Sequence, residues 1–316
     1  MNAVPYVLTF GETMALMRAD QVGPLAHAST LSLGIGGSES NVAIGLQRLG
    51  VQAVWCGRVG ADSLGNLVER EIRAEGVDVR AAVDPSAPTG LMIKERRTPA
   101  TQRVSYYRSG SAGSRITPED IDEQLIAGAQ LLHVSGITPA LSPQAASTLR
   151  YAVDAARAAG VPVSFDLNFR ANLWSAEGAR SVYRDIIPLA DIVFAGDDEA
   201  AIAVGAGDPE ELARRIAALG PSQAVIKLGA DGALALIDGT VFRQAAVTVD
   251  AVDTVGAGDA FVAGYLAELV TGHGPRDRLQ TAAATGAFAC LVPGDWEGFP
   301  RRHELPILQA REPVSR

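Results

Sequence analysis

Two cysteines in 316 residues leave no room for a disulfide framework. Cys56 and Cys290 lie inside separate apolar runs without Cys-x-x-Cys spacing, and read as small core residues in a reducing compartment. Only four histidines occur, His27, His133, His273 and His303, scattered without ligand spacing, which argues against a histidine-built metal site. No basic stripe interrupts a net charge of −9, and that argues against a nucleic-acid surface. The densest basic patches, Lys94–Arg97 and Arg301-Arg302, are short and read as solvated loops. No apolar run is long enough to span a bilayer and no basic-then-apolar leader opens the chain, so the expectation is a soluble cytoplasmic protein with no membrane partner. Gly-x-x-x-x-Gly-Lys-Ser/Thr is missing, which removes a P-loop nucleotide site. Gly34–Gly37 lacks the spacing and the firm preceding strand of a dinucleotide fingerprint, and no Gly-x-Ser-x-Gly follows a strand end, against a hydrolase.

What is present is ordinary in bulk. A hydrophobic share of 47% and a charged share of 20% are those of a globular protein, and the length suffices for one large α/β domain. Short apolar runs at Val4–Phe10, Val51–Val59, Gln130–Val134, Val161–Asp166, Asp191–Ala195 and Ala224–Leu228 read as strands. Helical patterns fall between most of them, with Ser63–Glu75, Ala176–Pro188 and Arg276–Val292 the clearest. The punctuation agrees. Asp62, Ser142-Pro143 and Asp208-Pro209 read as helix starts, Gly76, Gly160 and Gly220 as stops, and Asp238-Gly239 as a two-residue hairpin turn. Such alternation predicts a mainly parallel sheet covered on both faces. Two regions break the rhythm. Weak β-type pieces at Met14–Met17 and Ser29–Leu33, with Thr89–Lys94 and Arg103–Tyr107 joined by a polar loop holding Pro99, predict a small separate sheet.

Chemistry is densest in Asp253-Thr-Val-Gly-Ala-Gly-Asp259, which runs into the apolar stretch Ala260–Val270. Gly256 and Gly258 permit a tight turn with exposed N–H groups, and the apolar stretch reads as a buried helix whose N-terminus attracts anions. Asp259 places a carboxylate beside any anion held there. A binding site for phosphate gains nothing from that carboxylate; a site where a hydroxyl attacks phosphorus does. The plain alternative, a capped glycine turn, fits this stretch alone equally well.

Ligands of open α/β sheets bind beyond the carboxyl ends of the strands. Asp166-Leu-Asn-Phe-Arg170 has that placement and suits a polyol or an anion, although a simple Asx turn with a solvated arginine reads the same. Gly229-Ala-Asp-Gly232 is placed to let a nucleotide approach the backbone, a weak signal by itself. Behind Gly34-Ile-Gly-Gly-Ser-Glu-Ser-Asn41, a second glycine-rich loop, Val42, Leu46 and Leu49 recur at helical spacing.

Gly36-Gly-Ser-Glu-Ser-Asn41-Val-Ala43 resembles the first signature of the ribokinase-like (PfkB) sugar kinases, and Asp253–Gly264 resembles the longer, more specific second one. The resemblance covers almost the whole chain. It implies an α/β fold, a ribokinase-like three-layer αβα sandwich with a mainly parallel central sheet, whose small β-sheet acts as a lid over the sugar. Residues 1–316 would form one kinase domain, with lid strands from about 12–35 and 86–110. Within the family the chain is most similar to the 2-keto-3-deoxygluconate kinases, through Gly11-Glu-Thr-Met14, Tyr106–Ala112, Asp166–Arg170 and Gly294-Asp-Trp-Glu-Gly298.

That likeness implies ATP and Mg²⁺ as cosubstrate and metal. Asp259 would be the catalytic base, with Gly256, Ala257 and Gly258 supplying amides to the transferring phosphoryl group. Gly36, Gly37 and Asn41 would contact sugar hydroxyls. Tyr106, Arg108 and Arg170 would hold the acid sugar, Asn168 would lie near the transferring phosphate, and Asp295 would reach the substrate. An arginine pair suits a carboxylate better than a neutral hexose. Lys227, Gly229, Gly232 and Thr254 would face the nucleotide, and Glu199 the water around Mg²⁺. Two positions depart from the family pattern: Gly196-Asp-Asp-Glu199 replaces Asn-x-x-Glu, and Ala283 replaces an asparagine near the adenine. Fructokinase, 5-keto-2-deoxygluconate kinase, a non-catalytic sugar- or nucleotide-binding protein and, more distantly, a nicotinamide oxidoreductase are the competing readings. A homo-oligomer is expected, since edge strands need covering.

Overall fold

The computed structural model describes residues 4–98 and 101–309; Pro99, expected in the loop of the small sheet, lies outside the described residues. Among the described residues, thirteen strands form two sheets. The large one runs β13-β12-β11-β10-β9-β8-β1-β4-β5. Its parallel members are β1 (Tyr6–Phe10), β4 (Gln52–Gly60), β5 (Asp78–Asp84), β8 (Leu131–Ser135), β9 (Val163–Asp166), β10 (Ile192–Gly196) and β11 (Gln223–Lys227). Antiparallel β12 (Ala233–Ile237) and β13 (Thr240–Gln244) close one edge. Asp238 and Gly239 both have positive φ, as their tight two-residue turn requires.

Successive residues of each central strand enter opposite cores. Val7 belongs to the core that holds Ile44, Phe261 and Leu266 on one side of the sheet, while Leu8 belongs to the core that holds Leu149, Tyr183 and Ile216 on the other. The first layer contains α1 (Ser38–Arg48), α2 (Ser63–Ala74), α9 (Ala257–Val270) and α10 (Pro275–Ala289). The opposite layer contains α3 (Glu123–Gly128), α5 (Pro143–Ala159), α6 (Ala176–Ile186), α7 (Asp197–Val204) and α8 (Pro209–Ala217), with the short α4 (Ile137–Leu141) leading into α5. The molecule is thus the expected three-layer αβα sandwich. Its helix starts follow the sequence: Asp62, Ser142 and Asp208 each accept a backbone N–H as N-cap.

The second sheet, β3-β2-β6-β7, is formed by β2 (Met14–Ala19), β3 (Leu31–Gly36), β6 (Leu91–Thr98) and β7 (Thr101–Tyr107). Met14, Leu16 and Met92 are buried on one of its faces. Among the described residues, no helix is long and apolar enough to cross a membrane.

Four local expectations need correction. Strand β5 is absent from the expected strands, because its mixed exposure at the sheet edge leaves no apolar run. Helix α1 starts at Ser38, four residues before the apolar periodicity, because its first turn is polar yet buried. Lys94–Arg97 is part of β6 rather than a solvated loop, and Lys94 is only 2% exposed. Cys290 is half-buried at the edge of a cleft and not a core residue.

Candidate active site

Gly256 adopts a left-handed conformation (φ 77°) immediately before α9. A side chain there would be strained, and a Cβ would fall 1.8 Å from the carbonyl oxygen of Asp295. The turn leaves the N–H groups of Gly256, Gly258 and Asp259 without an intramolecular acceptor among the described residues, at the positive end of a 14-residue helix. These donors suit an anion, and a carboxylate stands on their rim.

Asp259 is held by the first turn of α1. The Ser38 hydroxyl donates to Oδ1 and the Asn41 amide to Oδ2, each at 2.8 Å. Asn168, itself at positive φ (41°) after β9, donates from Nδ2 to Ser38 Oγ at 2.6 Å. Burial pushes the Asp259 carboxyl up to about 6, against the two hydrogen bonds and nearby Arg170, which favour the charged form. One residue along from Ser38, buried Glu39 accepts from Ser135 and Thr138; desolvation raises its carboxyl to about 7, and Asp259 adds to the shift. Sequence reasoning assigned roles to neither Ser38 nor Glu39, although both lie inside the quoted glycine motif.

Gly36 and Gly37 are glycines because the walls are close. A Cβ on Gly36 would fall 2.3 Å from both Asp295 Oδ2 and Met92 Cε, and one on Gly37 would fall 2.5 Å from the Glu12 carbonyl oxygen. Tyr106 and Arg108 come from the end of β7, with the guanidinium 5.8 Å from the ring centroid. Arg108 also pairs with the fully buried Glu12, Nε to Oε2 at 2.7 Å, and the Ser111 hydroxyl donates to the other oxygen of Glu12. A buried acid thus fixes the guanidinium from behind. Arg170 donates to the carbonyl of Phe169 and has no carboxylate partner among the described residues. Asp295 pairs with Lys94 of the small sheet.

Beside the anion turn opens a cleft of about 470 Å³, lined mainly by apolar groups. Lys227, Gly229, Gly232 and Thr254, the residues expected to face a nucleotide, all line it, as does Ala283. Lys227 donates to both oxygens of Asp166, at 2.8 and 2.7 Å. Burial pulls this amine down, but the charges of Asp166, Glu199 and Asp259 outweigh it and hold the amine above its usual value. Glu199 accepts from the N–H of Phe169 at 2.8 Å and of Gly196 at 2.7 Å, one on each oxygen. No group of three or more His, Cys, Asp or Glu suited to hold a metal occurs among the described residues. The arrangement therefore offers an apolar slot, a lysine and amides for anionic groups, and a buried carboxylate beside them.

Residues 4–302 match the family model described as pfkB family carbohydrate kinase. The chain is 37% identical to a 2-dehydro-3-deoxygluconokinase of Bacillus subtilis (strain 168), over 97% of this chain and 96% of that protein. It superposes on the crystal structure of a 2-dehydro-3-deoxygluconokinase from Thermotoga maritima with a TM-score of 0.87 and 26% identity, covering 97% of this chain and 98% of that one. A fructokinase from Xylella fastidiosa, solved with bound ATP, gives 0.85 and 25%, with the same coverage of both chains.

Proposed function

This chain belongs to the pfkB family of carbohydrate kinases, and we propose that it transfers the γ-phosphoryl group of ATP to O6 of 2-keto-3-deoxygluconate. The observation that carries the reading is Asp259, a buried carboxylate held by Ser38 and Asn41 on the rim of an anion-binding helix terminus.

ATP lies with its base in the apolar cleft and its phosphates toward Gly256–Gly258, with Lys227 beside them. The sugar binds between the Gly36–Asn41 segment and the small sheet, which serves as its lid. Gly36, Gly37, Asn41 and Asp295 border the hydroxyls, Asn168 stands near the transferring phosphate, and Tyr106, Arg108 and Arg170 surround the acid group. Asp259 accepts the proton of the attacking hydroxyl. A loose phosphoryl-transfer transition state lets that proton leave late, so a carboxylate near pH 6 is strong enough. The amides of the Gly256 turn stabilise charge on the transferring group without reorganising.

The residues fit a magnesium ion that keeps most of its water. Three carboxylates, Asp166, Glu199 and Asp259, surround a single lysine, so a triphosphate entering there needs added positive charge. Asp166 and Glu199 would face the hydrated ion, whose chemistry is to neutralise the phosphates. Both oxygens of Glu199 already accept backbone N–H bonds, which suits contact through water rather than direct ligation.

A homo-oligomer is proposed through the outer face of the small sheet, where Leu33 and Tyr107 are each 62% exposed; light scattering tests it. The function is tested by coupled ADP release with 2-keto-3-deoxygluconate, its galactonate epimer, 5-keto-2-deoxygluconate and fructose. The expected order places 2-keto-3-deoxygluconate first in kcat/KM. A preference for fructose would overturn the acid-sugar reading while leaving the kinase chemistry in place.

A further inference from the structure

The segment Pro293–Phe299 runs over the anion turn and is pinned from two sides. Arg48 of α1 donates to the carbonyls of Trp296, Glu297 and Phe299. From the small sheet, Arg18 donates to the carbonyl of Pro293 at 2.8 Å, and Lys94 forms an ion pair with Asp295. Both side chains of that ion pair are buried, at 2% and 8% exposure, and Asp295 is the only hydrogen-bond partner of the Lys94 ammonium among the described residues. Asp295 in turn touches both glycine motifs. Its Oδ2 stands where a side chain on Gly36 would be, and its carbonyl oxygen stands where one on Gly256 would be. Gly294 N–H completes the seam by donating to Asp253, at the start of the anion turn, at 3.3 Å.

We propose that Lys94 is a positioning residue for phosphoryl transfer, carrying the position of the small sheet through Asp295 to the amides of the Gly256 turn. The proposal rests on the reading of Gly256–Asp259 as the transfer site. A purely structural contact would not need these charges, because a buried ion pair is no more stable than a well-packed apolar pair of the same volume. What the pair adds is direction. An ammonium fixed in β6 holds one oxygen of Asp295 and leaves the other against Gly36, so movement of the sheet over bound sugar moves Asp295 with it. The Asp295 carbonyl packs directly on Gly256, whose amides must meet the transferring group within a fraction of an ångström.

The test uses the full-length enzyme with its best sugar from the panel, and compares Lys94→Met and Lys94→Arg with the wild type. Lys94→Met is expected to lower kcat by about tenfold to 10²-fold and to raise the sugar KM, the range for a reacting group misplaced by about 1 Å. The KM for ATP–Mg²⁺ should stay within about twofold, since neither Lys94 nor Asp295 lines the nucleotide cleft. Lys94→Arg restores the ion pair and should recover kcat to within about threefold of wild type. ATP hydrolysis without sugar should rise relative to transfer in the methionine variant, because a misplaced sheet excludes water less well. A folded Lys94→Met enzyme with kcat and sugar KM within about twofold of wild type would overturn the proposal, as would a loss that Lys94→Arg fails to recover. If Lys94→Met is insoluble, Lys94→Gln is read by the same criteria. A wild type that prefers another sugar refutes the substrate reading alone, and the variants are then measured on that sugar.

Discussion

Helices α7 and α9 both begin after a glycine and both carry a carboxylate at their third residue, Glu199 and Asp259, yet the two carboxylates end in opposite situations. Gly196 is extended (φ −67°), so the longer Glu199 side chain folds back onto the Gly196 N–H, while the Glu199 N–H donates to Asp198. Its other oxygen takes the Phe169 N–H. Gly256 is left-handed (φ 77°), and the shorter Asp259 does not fold back. Its oxygens instead face side chains of another helix, and the turn's own amides stay available. A carboxylate saturated by fixed amides is a cap. One held by a hydroxyl and a side-chain amide, with free N–H groups beside it, can exchange a proton next to an anion.

The largest expected effect separates these roles directly. Asp259→Asn should lower kcat by on the order of 10²-fold or more, the cost of losing a positioned base. Stability should move the other way. Burial raises the Asp259 carboxyl from 3.8 unfolded to about 6 folded. Its contribution to stability is therefore fully present below about pH 4 and lost as pH rises through about 6. Above pH 6 the asparagine variant should match or exceed the wild type in unfolding free energy, by on the order of 1–3 kcal/mol. For the wild type, kcat/KM should fall as pH drops below about 6, where the base becomes protonated. A flat profile down to pH 5, with normal turnover by the variant, would remove Asp259 from the mechanism.

The two glycines should differ next. Gly256→Ala places a Cβ at positive φ and 1.8 Å from a backbone oxygen, so it should cost about 1–3 kcal/mol and at least tenfold in kcat. Gly196→Ala keeps an ordinary φ and meets side chains rather than backbone, Asp198 closely at 2.7 Å and Glu199 at 3.5 Å, so both losses should stay smaller than for Gly256→Ala. Glu199→Gln keeps an acceptor but removes one oxygen and the charge. It should cost about 1 kcal/mol in urea unfolding, raise the Mg²⁺ requirement, and leave kcat within about tenfold at saturating Mg²⁺. Equal kcat losses for Glu199→Gln and Asp259→Asn would erase the distinction between cap and base.

The alternation of strands and helices, the capping residues and both glycine motifs were legible along the chain because each is a local pattern of a few residues. So was the placement of Asp166–Arg170 and Asp259 at one end of the sheet. What escaped is chemistry between distant residues. Ser38 reaches Asp259 across 221 residues and Lys94 reaches Asp295 across 201, and neither partner leaves a periodic trace near the other. Polar residues that bury one another look like loop: Ser38–Asn41 was placed before the helix it begins. Lys94 was hidden by its neighbours, since a run of charges suggests solvent while alternation in a strand sends every second residue inward. Arg108 directly follows the expected strand Arg103–Tyr107, but the acid that fixes it, Glu12, stands 96 residues away.

Ser38→Ala tests the smallest part of the comparison, whether side-chain donors tune the base as well as hold it. The Ser38 hydroxyl stabilises the charged carboxylate, so removing it should raise the Asp259 carboxyl further above about 6. The acid limb of kcat/KM should then move to higher pH by less than about one unit, the size expected for one hydrogen bond to a charged group partly replaced by Asn41 or water. At pH 8, where the base is ionised in both enzymes, turnover should fall only a few-fold, on the order of 1 kcal/mol in the barrier. A shift toward lower pH would reverse the sign assigned to the hydroxyl. No shift, with a large loss at every pH, would make Ser38 a ligand of the sugar or the phosphate rather than a support for Asp259, and Asn168, which donates to the same oxygen, would then be the residue to change next.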